Sequence, residues 1–153
     1  MCFDDPKAIA DYDRVMQTNI RTAVILKHLA KPYLIESKGS IVNTSTVSSE
    51  WSYCMSKAAV NAFTQVIASL LAPDVRVNAI APRPTRTNIH VVNSSGDQDK
   101  VWDEFGKIMP LKRVAEPIEM AQLIALLASD ASKNMTGSII VSDAGYLLGD
   151  PYR

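Results

Sequence analysis

Apolar residues recur every three or four positions over 11–36, at Tyr12, Val15, Met16, Ile20, Ala23, Val24, Leu26 and Leu29, which predicts one face of a long helix. Pro32 predicts a kink near its end, because a proline ring removes an N–H and crowds the preceding turn. The stretch "GSIVNTS" is short and β-branched and starts at Gly39, the pattern of a buried strand over 39–45. A second helix is predicted over 52–72, with Ser52 as its cap and Ala58, Ala59, Ala62, Phe63, Val66, Ile67 and Leu70 in helical period until Pro73 stops it. Its many small residues permit close approach of another helix or another subunit.

"DVRVNAIAP" alternates Val75, Val77, Ala79 and Ala81 with more polar positions and predicts a strand over 74–81, broken by "PRPTRTN". Residues 88–100 are rich in Ser, Asn, Asp and Gly and read as a loop, and "DKVWDEFGKIM" as a short amphipathic helix. Glu116 and Pro117 open a further helix lined by Ile118, Met120, Ala121, Leu123, Ile124 and Leu127. "GSIIVSDAG" supplies a last strand over 138–143. The order helix, strand, helix, strand, helix, helix, strand makes two βαβ crossovers. It predicts an α/β fold with a three-stranded parallel sheet, flanking helices, and the strand at 39–45 along one edge.

Composition narrows the function. The chain has 153 residues, 47% hydrophobic and 21% charged, enough for one domain with a real core. Lys+Arg and Asp+Glu both number 16, so no positive excess is available for a nucleic-acid backbone or an anionic membrane. The apolar runs "QLIALLA" and "AVILKHLA" are shorter than a bilayer span, and "MCFDDPKAIADYD" is acidic where a signal peptide is basic and then apolar; a soluble, cytoplasmic protein is expected. Cys2 and Cys54 lack metal-ligand spacing, and His28 and His90 stand apart from both, so no metal site is expected.

The chemistry-bearing stretch is "WSYCMSK", which puts the phenol of Tyr53 one helical turn from the ammonium of Lys57. Alone, that pair reads more readily as two helix-surface residues. Its neighbours are more specific. "DYDRVMQTNIRT", "GSIVNTST", "YCMSKAAVNAFT", "VRVNAIAP", "PLKRVAEPIEMAQLIALLASD" and "TGSIIVSDAGYLL" follow one another as in the C-terminal, catalytic part of the short-chain dehydrogenase/reductase family, which this chain resembles over nearly its whole length.

The resemblance implies a Rossmann-like fold, NAD or NADP as cofactor, and a small secondary alcohol or ketone as substrate. It implies that Tyr53 moves the proton, that Lys57 holds the nicotinamide ribose, that Thr46 holds the substrate oxygen and that Asn19 supports a relay water. Tyr53, Lys57, Pro82, Thr85 and Thr87 fall at cofactor-contacting positions. A free tyrosine ionises near pH 10 and is a poor base at neutrality, so Lys57 is expected to favour the phenolate.

Four departures qualify this. "VSSEWS" between Thr46 and Tyr53 is shorter than the family's usual connection, which bears on the substrate pocket. Arg83 stands where the family has glycine, so its side chain must swing out or intrude on the cofactor. Ala144 replaces a glycine and is tolerated where the backbone φ is negative. Finally, all six glycines are isolated and none builds the Gly-rich pyrophosphate turn, so 1–153 is expected to be a single partial domain without the first strands and that turn. Weak cofactor affinity and little turnover follow for the isolated chain, with Tyr53 keeping an ordinary phenol pKa. The alternative is a non-catalytic member that associates with intact relatives as a homo- or hetero-oligomer through helices 11–36 and 52–72.

Overall fold

A computed structural model describes residues 4–46, 50–88 and 98–149. Cys2, His90 and most of the loop expected over 88–100 lie outside the described residues, as do three residues of the short connection before Tyr53.

Helix α1 (Ala8–Met16) runs through one π-helical turn (Gln17–Arg21) into α2 (Thr22–Glu36). The helix continues through Pro32 to Glu36 and does not end there. Strand β1 (Ser40–Thr44), α3 (Trp51–Leu71) and β2 (Arg76–Pro82) follow. Then come α4 (Gln98–Ile108), α5 (Pro117–Ala128) and β3 (Ile139–Ser142). The three strands form one parallel sheet in the order β1, β2, β3, with Ile41 opposite Val77 and Ile80 opposite Ile140. Predicted strands and observed strands agree within two residues at each end, and β1 lies at an edge of the sheet as its sequence implies.

Strand β2 is central and buried on both faces, so its core reads as a near-continuous apolar run. On one face Val77 and Ile41 meet Ala68 and Leu71 of α3, with Leu34 of α2 against them. On the other, Ile80 meets Met120 and Leu127 of α5, with Val42 and Ile140 alongside. Two polar side chains of β2 fasten these layers. The Arg76 guanidinium donates to the carbonyls of Leu127 and Ser129 and to the Ser132 hydroxyl, gathering the C-terminal carbonyls of α5 around a cation. Asn78, fully buried, donates to the Met135 carbonyl at 2.8 Å and accepts from the Ser138 N–H at 3.0 Å.

Helix α3 is long and apolar enough to cross a bilayer by length and composition, yet it lies against β2 as a core helix. Its buried stripe is Ser52, Ser56, Val60, Thr64 and Ala68, one residue per turn. That corrects the apolar periodicity, since Ala58, Ala62, Val66 and Leu70 are exposed. The reason is that Ser and Thr bury well once their hydroxyls are satisfied locally: Ser56 donates to the Tyr53 carbonyl and Thr64 to the Val60 carbonyl. The predicted cap is also corrected. Glu50, not Ser52, caps α3, its carboxylate accepting the Tyr53 N–H at 2.7 Å and the Ser52 hydroxyl at 2.9 Å.

At the end of β3 the chain turns through Asp143, whose two carboxylate oxygens accept the N–H groups of Gly145 and Leu147. Ala144 inside this turn has φ +53°, in the left-handed region, so the expectation of a tolerated negative φ does not hold. A Cβ in that conformation crowds the backbone, at a cost of about 1–2 kcal/mol. Ala144→Gly is therefore expected to stabilise the fold by about 1 kcal/mol after allowing for the greater freedom of an unfolded glycine. Urea unfolding midpoints of the two chains check this, and an unchanged or lower midpoint for the glycine variant contradicts the strain.

Candidate active site

Parallel strands end on the same side, and the segments that leave β1 and β2 meet there. Ser45 continues β1 by donating its N–H to the Ile80 carbonyl, and its hydroxyl donates to the Lys57 carbonyl at 3.2 Å. The next residue, Thr46, donates its hydroxyl to the Pro82 carbonyl at 2.9 Å. The chain then enters α3, whose first two turns carry Tyr53 and Lys57. Thus Thr46, Tyr53, Lys57 and Pro82 all belong to the carboxyl end of the sheet, where α/β folds present their ligands.

The Lys57 ammonium donates to the Thr44 carbonyl at 2.9 Å and lies 5.4 Å from the centroid of the Tyr53 ring. It is fixed over the phenol's face. Burial pushes the Tyr53 phenol above its ordinary pKa, and the adjacent Cys54 adds in the same direction. Burial likewise lowers the Lys57 ammonium. Both shifts move away from a phenolate beside an ammonium, against the sequence expectations of a favoured phenolate and of an ordinary phenol pKa. Desolvation, which no spacing rule registers, is the first cause of both shifts.

Asn19 sits in the π-helical turn, a distortion common at functional sites. Its amide donates to the Ser56 hydroxyl at 2.9 Å, which in turn donates to the Tyr53 carbonyl at 2.7 Å. Asn19 therefore tethers α3 at the turn that presents Tyr53. The rings of Tyr12 and Trp51 stack with centroids 5.9 Å apart and add a second clamp between α1 and the start of α3. Ser56 and Glu50 were not among the predicted site residues. Their signals were small polar residues one turn apart at the start of α3, Ser52 and Ser56, and an acid just ahead of the helix.

The predicted cofactor positions after β2 divide. Pro82 ends the strand beside Thr46, and Thr85 donates its hydroxyl to the Arg83 carbonyl at 3.0 Å while bridging to Ala115. Thr87 lies farther along, exposed. The Arg83 side chain lies against Tyr146, its guanidinium carbon 3.7 Å from the centroid of that ring.

Comparisons with known proteins place the chain among related sequences and folds. A family model described as Enoyl-(Acyl carrier protein) reductase matches residues 7–147. The meso-2,3-butanediol dehydrogenase of Serratia marcescens is 34% identical over 150 residues, covering 94% of this chain and 58% of the relative. The 7alpha-hydroxysteroid dehydrogenase of Clostridium sardiniense is 33% identical over 149 residues, covering 92% and 56%. Among solved structures, ligand-free aldohexose dehydrogenase from Thermoplasma acidophilum aligns with TM-score 0.83 at 29% identity, over 93% of this chain and 61% of that one. A short-chain dehydrogenase/reductase of unknown function from Caenorhabditis elegans, solved with cofactor, aligns with TM-score 0.88 at 25% identity, over 96% and 59%. The chain spans rather more than half the length of the curated relatives it matches.

The burial of Tyr53 is open to direct titration. The difference in alkaline ultraviolet absorbance between the chain and Tyr53→Phe is expected to show one phenol ionising above pH 10, the ordinary tyrosine value. Adding Lys57→Ala is expected to leave that midpoint nearly in place. A coupled ammonium would instead be worth about 1–3 pH units, so a rise of that size on removing Lys57 defeats the burial argument.

Proposed function

The chain belongs to the short-chain dehydrogenase/reductase family, and we propose that it supplies the proton-handling half of an NAD(P)-dependent oxidoreductase that interconverts a secondary alcohol and a ketone. The observation that carries this reading is the convergence of Thr46, Tyr53, Lys57 and Pro82 at the carboxyl end of the sheet, with Asn19 tying down the same helix. The two named dehydrogenase relatives point the same way, because butanediol and hydroxysteroid both carry secondary carbinols.

The residues fit one end of the cofactor and not the other. Lys57 and the Pro82 segment suit the nicotinamide end, where Arg83 has folded its side chain onto Tyr146. A pyrophosphate needs free N–H groups at a helix N-terminus. At α3 that position is filled by the Glu50 carboxylate, and at α5 the Glu119 carboxylate accepts the Glu116 N–H at 2.7 Å.

The nicotinamide, when bound, supplies or takes the hydride. Tyr53 gives a proton to the ketone oxygen or takes one from the carbinol, and burial keeps its phenol protonated at neutral pH, which favours the donor role in reduction. Thr46 must release the Pro82 carbonyl before its single hydroxyl proton can reach a substrate oxygen. Lys57, held by the Thr44 carbonyl beside the ring of Tyr53, would hold the cofactor's sugar through its remaining N–H groups.

Without the remote cofactor contacts, the nicotinamide is not held in an attack position, so the 153-residue chain by itself is expected to show little or no turnover. Calorimetric titration with NADH and NADPH is expected to give no saturable binding in the micromolar range. Micromolar binding, or alcohol oxidation that disappears in Tyr53→Phe, would show the chain to be a working enzyme alone.

A second role is favoured by the apolar surface. Leu26, Leu29 and Tyr33 on α2 are more than half exposed, as are Val66 and Leu70 on α3. We infer that these helices form an association face, used either between copies or with longer relatives. Light scattering is expected to report oligomers that Leu29→Glu weakens. A monodisperse monomer unaffected by that substitution argues against the face.

A further inference from the structure

We propose that Arg83 is a recognition cation for a carboxylate on the substrate, which is then an oxo acid or hydroxy acid; this rests on the oxidoreductase reading and deepens it. The position is fixed by the backbone. Arg83 directly follows Pro82, whose carbonyl receives the Thr46 hydroxyl, and its own N–H donates to the Ser142 carbonyl at 2.9 Å, extending the ladder between β2 and β3. The side chain thereby leaves the central strand at the ligand end of the sheet, one residue beyond the carbonyl that holds the Thr46 hydroxyl.

Its surroundings leave it poised for an anion. The guanidinium carbon sits 3.7 Å from the Tyr146 ring centroid, a cation–π contact that uses none of the cation's hydrogen-bond donors. Nε is buried and has no acceptor. A buried donor on a cation is costly to leave unmade, so an acceptor arriving from outside gains more here than at an exposed arginine. The acids nearby in the chain are already engaged. Asp143, at the end of β3, accepts two backbone N–H groups, while Asp99 and Glu116 both bind Arg86. Arg83 is thus a half-buried cation against a tyrosine ring, with no carboxylate partner among the described residues.

A carboxylate suits it better than a phosphate. The planar fork of one guanidinium matches the two oxygens of a carboxylate, whereas a doubly charged phosphate draws on several cations, and Arg86, the neighbouring candidate, is held by its own acids.

Nitrogen-15 NMR of the arginine Nε–H groups in the 153-residue chain tests the proposal, with the Arg83 resonance assigned by through-bond correlation to its backbone amide. Acetoacetate is expected to shift that resonance saturably. Methyl acetoacetate, which keeps the ketone and lacks the charge, is expected to leave it in place. Tyr146→Leu removes the stack and is expected to weaken acetoacetate binding about fivefold. The proposal is overturned if acetoacetate leaves the resonance unmoved, if the ester moves it equally, or if inorganic phosphate binds as tightly, which would mark a general oxyanion or cofactor-phosphate contact. None of these readouts needs bound cofactor or turnover. Hydride transfer found on neutral ketones, with the resonance unmoved by acetoacetate, would leave the oxidoreductase reading standing and this proposal refuted.

Discussion

Strand β2 has no face left for water. From Val77 to Ala81 every residue is at most 1% exposed, so helices must cover both sides of the sheet and the strand must find partners along both edges. Because those partners are parallel, each connection has to return along a helix, and all three strands finish on the same side. The head of α3 and the segment after Pro82 are thus delivered to one place by packing alone. The two buried polar side chains in β2 tie this arrangement down: Arg76 holds the end of α5, and Asn78 holds the approach to β3.

The same constraint explains what could be read from residues alone. β2 was visible as an alternating apolar stretch, and β1 and β3 as short β-branched runs bounded by turn residues. The Tyr53 to Lys57 spacing was equally plain. The face by which α3 packs was not, because Ser52, Ser56 and Thr64 are polar by name and become apolar in effect once each hydroxyl finds an acceptor close by on the chain. The acid–base character of the pair also escaped, since pKa here follows burial, a property of the whole fold. Ala144 escaped for a similar reason: a residue type does not announce the sign of its φ.

Much of the apolar surface that period counting assigned to a core lies outside one. Val24, Leu26 and Leu29 keep their helical spacing and are exposed, as do Val66 and Leu70. Periodicity reports that a face is meant to be covered, and is silent about whether the same chain supplies the cover. The relatives, of which this chain spans 56–61% in the comparisons above, make that distinction a practical one.

The π-helical turn between α1 and α2 sets a phase. Positions facing the rest of the molecule recur from Ala8 through Tyr12, Met16, Asn19, Ala23, Lys27 and Ala30 to Leu34. Seven turns of regular α-helix hold about 25 residues, one short of that interval. The widened turn absorbs the surplus, and it does so at Asn19, where the helix grips Ser56. Removing a single residue there would rotate everything downstream by about 100° relative to everything upstream. The rod would then act like a gear slipped by one tooth, bringing a different set of side chains against β1 and α3 while its length and helicity stayed almost unchanged.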